Sequence, residues 1–219
     1  NFEPLLYSRD AKERNVAWLR ESAEVTLCEI DIRDRSALDD VFATYDFDAV
    51  LHLAAVAGVR PSIAQPTLYY DINVTGTAQL LEAGRAAGVI RHVLASSSSV
   101  YGGNTKTPFA ETDPVTHPIS PYAASKRALE LLATTHQTLH GGDVACLRFF
   151  TVYGPRQRPE MAIHKFMRML DRGETLPMFG DGTTGRDYTY IDDIVDGTIR
   201  ALERCEGYEI YNLGESHTT

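Results

Sequence analysis

The sequence has few of the features that mark membrane, nucleic-acid-binding or disulfide-stabilised proteins. No apolar run approaches the ~18 residues of a membrane-spanning helix, and no signal peptide opens the chain. Acidic residues outnumber basic ones by 30 to 21, and no basic run is present to contact nucleic acid. We therefore expect a protein of the cytoplasm that binds neither a membrane nor a nucleic acid.

Cysteine is also scarce. Cys28, Cys146 and Cys205 are odd in number and lack the spacing of metal ligands. Cys28 and Cys146 lie in apolar, strand-like runs, so we expect buried and reduced thiols. The seven histidines include no ligand pair with supporting carboxylates, and His52 is interpreted as a core residue. The sequence therefore predicts no metal site.

What the sequence does contain is an alternation of short apolar runs with longer segments of helical periodicity. The 219 residues, 43% of them hydrophobic, suffice for one or two domains with a core. Strands are predicted at residues 25–30, 49–55, 92–96, 144–150 and 209–213, and helices at 36–45, 65–87, 120–140, 163–171 and 191–203. This order is typical of an α/β fold, a Rossmann-like doubly wound parallel sheet with helices on both faces.

Several polar or small residues come at or just after the predicted strand ends: Asp31, Ala54, Ala55, Ser97 and Thr151. In open parallel sheets the ligand binds outside the carboxyl ends of the strands. We therefore expect the functional site at this edge.

The most informative pair is Tyr122 and Lys126, which lie one turn apart on the same face of a predicted helix. A run of four serines, residues 96–99, precedes it and includes Ser97. A phenol has a pKa of about 10, and a nearby cation favours its ionised form. Ser97, Tyr122 and Lys126 are therefore predicted to form a proton relay, with Tyr101 packed near the site.

The motifs together identify a family, although a tyrosine and a lysine at this spacing are a weak signal alone. The chain resembles the extended short-chain dehydrogenases/reductases, and among them the nucleotide-sugar epimerases, over essentially its whole length. The motifs that carry the resemblance are HLAA (52–55), NVTGT (73–77), SSSSVYG (96–102), YAASK (122–126), LRFFTVYGPRQRP (147–159) and RDYTYIDD (186–193).

The resemblance implies NAD as the cofactor, a UDP-sugar as the substrate and a homodimer as the assembly. It makes Ser97, Tyr122 and Lys126 catalytic, with Tyr122 as the base. The residues that it assigns to NAD are Asp31, Ile32, Leu53, Ala54, Ala55, Asn73, Ser96, Tyr122, Lys126 and Phe150. Those that it assigns to the substrate are Arg60, Ser97, Ser98, Thr151, Arg158 and Arg186, with Arg156 expected to face the substrate as well.

One departure from the family pattern is large. Family members begin with a strand, a glycine-rich turn and a helix that hold the pyrophosphate, whereas the first glycine here is Gly58. We therefore expect that about 30 residues precede this segment in a longer enzyme, and that the carboxyl-terminal end is also missing. Residues 1–153 and 187–213 are expected to form the NAD-binding domain, and residues 154–186 and 214–219 part of a small substrate-binding domain.

The resemblance also favours one reaction over its neighbours. Related 4,6-dehydratases carry Asp-Glu after their catalytic hydroxyl, and decarboxylating relatives carry an acid there, whereas this chain has Ser98 and Ser99. An elimination would lack its general acid, so we expect NAD-dependent 4-epimerisation through a 4-keto intermediate. Thr151 and Arg158 favour UDP-glucuronate as the substrate, with UDP-glucose second. The alternatives are a dehydratase or decarboxylase of the same family, and a non-catalytic binding relative.

Overall fold

A four-stranded parallel sheet organises the chain in a computed structural model that describes residues 6–177, 181 and 185–215. Its strand order is β1-β2-β3-β6, in which β1 is Val50–His52, β2 is Arg91–Ala95, β3 is Asp143–Phe149 and β6 is Tyr208–Leu213. β2 and β3 are buried on both faces and read as nearly continuous apolar runs, as expected for central parallel strands.

Helices cover both faces of this sheet. On one face Leu94 and Cys146 pack against Leu81 and Leu129 from the helices α5 (Gly76–Ala86) and α6 (Pro121–His140). On the other face, Val93, Ala145 and Leu147 pack against Ala201 in α8 (Ile191–Arg204). The predicted Rossmann-like, doubly wound α/β fold is confirmed.

The remaining elements frame the sheet. The helices are α1 (Arg9–Ser22), α2 (Arg35–Thr44), α3 (Val59–Ala64), α4 (Pro66–Tyr70) and α7 (Ala162–Asp171). A π-helical turn, Asp71–Thr75, joins α4 to α5, and a 3-10 turn covers Ser98–Tyr101. A second, two-stranded parallel sheet pairs β4 (Thr151–Tyr153) with β5 (Tyr188–Tyr190).

Local sequence explains where α6 begins and ends. Ser120 caps the helix by accepting a hydrogen bond from the backbone N–H of Ala123 at 3.1 Å, and Pro121 occupies its first turn. Gly141, with a φ of 74°, ends it in a conformation that favours glycine. The boundaries predicted for this helix are therefore confirmed.

Two predictions about the first thirty residues are wrong. Residues 25–30 form no strand, because a strand requires a hydrogen-bonded neighbour and none of the described residues pairs with them. Cys28, in the same segment, is exposed, whereas Cys146 and Cys205 are buried free thiols as predicted. None of the helices in the described ranges combines the length and apolarity needed to cross a membrane.

His52, interpreted as a core residue, is indeed buried at the end of β1. Its Nε2 lies 2.9 Å from Thr77 Oγ1, and Thr77 donates its own proton to the carbonyl of Asn73 at 2.7 Å. Thr77 can therefore only accept from His52, which requires the neutral Nε2–H tautomer. Burial, together with the charges of Lys126 and His92, lowers the pKa of His52 to about 3.

We expect this neutral histidine to make the protein less stable in acid. Between pH 6.5 and about 3 the unfolded chain takes up a proton that folded His52 does not, so stability falls as the pH drops. The slope approaches about 1.4 kcal/mol per pH unit. Urea unfolding between pH 6.5 and 4.5 should show that the free energy of unfolding of His52→Gln changes with pH less steeply than that of the parent, by the equivalent of about one bound proton. The exposed His117→Gln variant should keep the parental slope, and an unchanged slope in His52→Gln would contradict the assignment.

Candidate active site

Two adjoining clefts open at the carboxyl edge of the sheet, where the strand ends place the predicted residues. The Asp31 cleft, of about 440 Å³, is lined by residues that include Asp31, Ile32, Ala54 and Ile72. The Tyr122 cleft, of about 370 Å³, contains Ser97, Tyr122 and Lys126. Leu53, Ala55, Ala57 and Arg158 line both clefts, so the two form one continuous depression.

The three predicted catalytic side chains meet in the Tyr122 cleft. The Ser97 side chain lies close enough to the Tyr122 hydroxyl to act against the effect of burial on the pKa of the phenol. Ser97 Oγ accepts from the backbone N–H of Ser99 and donates to Ser99 Oγ, both at 3.1 Å. This arrangement fixes the Ser97 hydroxyl and links it to the hydroxyl of Ser99, a contact that the sequence analysis did not predict.

Lys126 is buried beneath this cleft and bound to the end of β2. Its side chain is 3% exposed, and Nζ donates to the carbonyl oxygen of Ala95 at 2.6 Å. Burial lowers its pKa to about 8. A lysine with this pKa remains largely protonated near neutral pH while being able to release its proton.

The chain by itself does not lower the pKa of Tyr122. Burial raises the pKa of the phenol, and the opposing effects of Ser97 and of the Arg158 charge do not outweigh it. The Lys126 ammonium group is bound to the Ala95 carbonyl. The chain alone therefore keeps the phenol protonated, and lowering its pKa needs a positive charge placed in the cleft.

Asn73 bonds to the backbone beside the clefts, the kind of contact that the family resemblance implies for it, and its contact with the cofactor stays a prediction. The side chain is fully buried in the π-helical turn. It accepts from the Val56 N–H at 2.8 Å and donates to the Val56 carbonyl at 2.9 Å and to Ser125 Oγ at 3.0 Å. Asn73 itself lines neither cleft. It fixes the backbone at Val56, within the segment of residues 53–57 that lines the clefts.

Asp31 and Ile32 lie in the Asp31 cleft as predicted. Asp31 is held by Arg33, whose Nη2 and Nε donate to its two oxygens at 2.8 and 3.0 Å. Asp31 does not cap the following helix, because Asp34 caps α2 through the N–H of Ala37. Ile32 packs so closely on Gly76 that a Cβ there would lie 2.7 Å from its side chain, so only glycine leaves this wall of the cleft in place.

Of the remaining predicted residues, Ser98, Phe150, Thr151 and Arg158 line the Tyr122 cleft. Arg158 stands where the two clefts join, with Nη1 3.0 Å from Glu160 Oε1 in a contact too poorly aligned to count as a hydrogen bond. Ser96 also lines the Tyr122 cleft, but its hydroxyl donates to Glu130 at 2.7 Å and so faces the interior.

Three predicted arginines do not reach either cleft. Arg60 is exposed on α3. Arg156 stacks on Trp18 of α1, with its guanidinium carbon 3.7 Å from the ring centroid. Arg186 is exposed and donates to the carbonyl of Gly185, so its contact with a substrate stays a prediction.

Some contacts near the site were not predicted. Tyr101 lies in the core rather than beside the cleft, because it stacks on Phe109 and its hydroxyl donates to Asn212 at 2.7 Å. The ring of Tyr69 packs edge-on against Tyr122, with centroids 6.2 Å apart. The sequence gives no sign that Tyr69 contacts Tyr122 or that Tyr101 contacts Asn212, since the partners in each pair lie far apart along the chain.

Comparison with known proteins defines the class. The sequence matches the NAD dependent epimerase/dehydratase family over residues 5–214, and the chain belongs to this family. The expected resemblance, and with it an enzyme family that uses NAD, is confirmed.

Among its relatives, UDP-glucuronate 4-epimerase of Thermodesulfobacterium geofontis is 48% identical over 196 residues, which are 90% of this chain and 60% of that protein. A probable UDP-glucuronate 4-epimerase of Rhizobium meliloti is 40% identical, over 89% of this chain and 57% of that protein. The chain thus spans about 60% of the length of the curated relatives that it matches.

Solved structures agree with this assignment. UDP-glucuronic acid 4-epimerase from Bacillus cereus, in complex with UDP-glucuronic acid and NAD, matches with a TM-score of 0.87 and 34% identity, over 97% of this chain and 67% of that chain. A dTDP-glucose 4,6-dehydratase from Streptomyces venezuelae, with NAD and TYD bound, gives a TM-score of 0.88 and 35% identity, over 94% of this chain and 63% of that chain. The fold is therefore shared by epimerases and dehydratases, and the residues of the cleft must decide between them.

Proposed function

We propose that the protein containing this chain is an NAD-dependent UDP-sugar 4-epimerase, with UDP-glucuronate as its substrate and UDP-glucose as the second choice. The observation that carries the proposal is the composition of the Tyr122 cleft. It holds a serine, a tyrosine and a lysine in contact with the same depression, and the described residues that line it include no carboxylate.

The absence of a carboxylate from this part of the cleft separates epimerisation from dehydration. Elimination of water from a sugar requires a group that protonates the departing hydroxyl. Ser98 and Ser99 stand after Ser97, and Ser99 is already bonded to Ser97 through both its N–H and its hydroxyl. Serine hydroxyls are far too weakly acidic for this task, so the cleft favours a reaction in which only hydride and one proton move.

The residues present fit a dinucleotide. Ala54, Ala55 and Ala57 have small side chains that leave space for a ligand where they line the clefts. Gly76 has no side chain, which leaves room for Ile32 to line the cleft beside Asp31 with apolar surface. We propose that Asp31 and Ile32 hold the adenine end and that Leu53, Ala55 and Phe150 border the nicotinamide. When bound, NAD supplies a reversible acceptor for the hydride on C4 of the sugar.

The chain's own groups handle the proton. We propose that the C4 hydroxyl of the sugar lies between Ser97 and Tyr122 and donates its proton to the Tyr122 oxygen as the carbinol becomes a ketone. To accept this proton Tyr122 must first be ionised, a form that the positive charge of bound NAD would favour, and Lys126, with a pKa of about 8, is the proposed relay that passes the phenol's own proton to solvent. Ser97 holds the reacting oxygen. Return of the proton from Tyr122, after the 4-keto sugar has turned its other face, completes the epimerisation.

Arg158 is the residue that we propose for the carboxylate of UDP-glucuronate, since it borders both clefts and its charge already acts on Tyr122. A charged hydrogen bond of this kind contributes about 1.5–3 kcal/mol. Arg158→Gln should therefore raise KM for UDP-glucuronate by about 10–100-fold and affect UDP-glucose much less.

Steady-state kinetics with the two sugars test this directly, and Arg156→Gln is the matched control because Arg156 packs on Trp18 outside both clefts. An equal rise in KM for both sugars would remove Arg158 from carboxylate recognition. A rise only in Arg156→Gln would transfer the role to that neighbour.

Three further expectations remain proposals. We propose that residues 154–186 and 214–219 belong to a small substrate-binding domain. We also propose a cytoplasmic homodimer that pairs through α5 and α6, where Leu131 and Leu139 are 50% and 69% exposed. Light scattering on the purified protein distinguishes a dimer from a monomer.

A further inference from the structure

A cluster of metal-ligating side chains lies on the face of α5 and α6, away from the clefts. Glu82 of α5 and His136 and His140 of α6 each offer one ligand atom, and these atoms all lie within 4.8 Å of one another. Lys126, on the same helix, is ten residues before His136, which places the cluster about 15 Å along α6 from the cleft. The proposed epimerase chemistry therefore does not use these groups.

The geometry suits a small ion. His136 and His140 are one helical turn apart, so both rings leave the helix on one side, with centroids 5.2 Å apart. Two ligands at about 2.1 Å from a tetrahedral ion lie about 3.4 Å from each other. We expect rotation of the side chains to bring the ligand atoms, which now lie within 4.8 Å of one another, to this spacing.

The third ligand, the Glu82 carboxylate, is held by an arginine of the same helix. Arg85, one turn further along α5, donates to Glu82 through Nη2 at 2.9 Å and Nε at 3.3 Å. Both bonds end on Oε2 of Glu82 and so fix the carboxylate. Its other oxygen, Oε1, accepts no hydrogen bond from Arg85. Carboxylates that bind metal ions are commonly hydrogen-bonded by a neighbouring residue in this way.

A third histidine lies next to the cluster, within the core. His92, on β2, is 2% exposed, and neither of its ring nitrogens has a hydrogen-bond partner among the described residues. Its ring packs edge-on against His136 with centroids 5.4 Å apart, and Gly84 leaves room for it on α5. A buried histidine with both nitrogens unpaired is costly, and it lies directly behind the proposed ligands.

We propose that Glu82, His136 and His140 bind a divalent first-row transition-metal ion such as Zn²⁺, with solvent completing the coordination. Two imidazoles and one carboxylate form a ligand set that such ions prefer over Mg²⁺ or Ca²⁺, which take oxygen ligands. The ion joins the carboxyl-terminal halves of α5 and α6 and stabilises the amino edge of the sheet. Sequence analysis predicted no metal site because the carboxylate comes from a different helix, which only the fold brings to His136 and His140.

Calorimetric titration of the metal-free protein with ZnCl₂ tests the site, with MgCl₂ as the comparison ion. We expect one Zn²⁺ per chain, a higher Tm in its presence, and no Mg²⁺ binding at the same concentration. His140→Gln, an exposed position, and His136→Gln should each weaken Zn²⁺ binding at least tenfold and remove the Tm shift. The exposed His117→Gln variant should bind as the parent does.

Unaltered Zn²⁺ affinity in His140→Gln and His136→Gln would overturn the proposal, as would the absence of saturable binding in the parent. One Zn²⁺ per two chains with accompanying dimerisation would also overturn it, because the ion would then bridge two molecules. Should His136→Gln fail to fold, the exposed His140→Gln variant decides the matter alone.

Discussion

Tyr122→Phe is expected to reduce kcat for epimerisation by about 10²–10⁴-fold, the range supplied by a positioned acid–base group. The substitution removes one oxygen and leaves the ring, so its edge contact with Tyr69 and the packing of the cleft should persist. The loss follows because the C4 hydroxyl then has no group that accepts its proton as hydride leaves. Turnover of UDP-glucuronate and of UDP-glucose by the complete protein provides the measurement.

Tyr70→Phe is the matched control, because Tyr70 is exposed on α4 and lines neither cleft. It should keep parental kcat. Tyr122→Phe should also retain the parental circular dichroism spectrum and bind NAD, so that the loss is one of chemistry. A Tyr122→Phe protein with full activity would remove the phenol from the mechanism.

The second large effect concerns stability. Arg148→Met is expected to lower the free energy of unfolding by about 3–5 kcal/mol, because it leaves the carboxylate of Glu130 buried without its main partner. Arg148 and Glu130 are 1% and 0% exposed. Nε and Nη2 of Arg148 donate to the two Glu130 oxygens at 2.8 and 3.0 Å, and Nη1 donates to the Tyr101 hydroxyl at 2.9 Å.

Chemical denaturation of parent and variants measures this effect. Arg200→Met, which removes an exposed ion pair with Asp196, should change stability by less than about 1 kcal/mol. Adding Glu130→Met to Arg148→Met removes the unpaired charge and should regain much of the loss. A loss below about 1 kcal/mol in Arg148→Met would show that Arg127 and Ser96 alone compensate the Glu130 carboxylate.

This network also supports the site. Ser96, next to Ser97, donates to Glu130, so the ion pair fixes the end of β2 from which the serine turn departs. Burial raises the pKa of Glu130, but the bonds from Arg148, Ser96 and Arg127 outweigh it and hold the pKa below its ordinary value. The contribution of the pair to stability is therefore present at neutral pH and is lost as the pH falls below the range of an ordinary glutamate.

Elements whose signals are local could be predicted from the sequence. β2 and β3 read as apolar runs, and α6 carries its own cap, proline and terminal glycine, so all three were predicted within about two residues. By contrast α1 has no buried residue and so no apolar face by which to recognise it. Residues 25–30 have strand-like composition, but no strand within the described part of the chain lies beside them, and pairing cannot be deduced from composition alone.

The same division holds in the candidate site. Ser97, Tyr122 and Lys126 converge as predicted because strand ends and helix periodicity place them at one edge. The carbonyl that holds Lys126 and the core position of Tyr101 depend on contacts between distant segments. The raised pKa of Tyr122 in the chain alone also depends on such contacts, because burial in the assembled cleft outweighs the effects of the neighbouring groups.

Incubation of the complete protein with UDP-glucuronate deuterated at C4 tests the proposed reaction most directly. Because the hydride leaves and returns without exchanging with water, the C4-epimeric product should retain its deuterium at C4. Formation of the epimer with deuterium lost to solvent, or a 4-keto product with no epimer, would contradict reversible hydride transfer at the Tyr122 cleft.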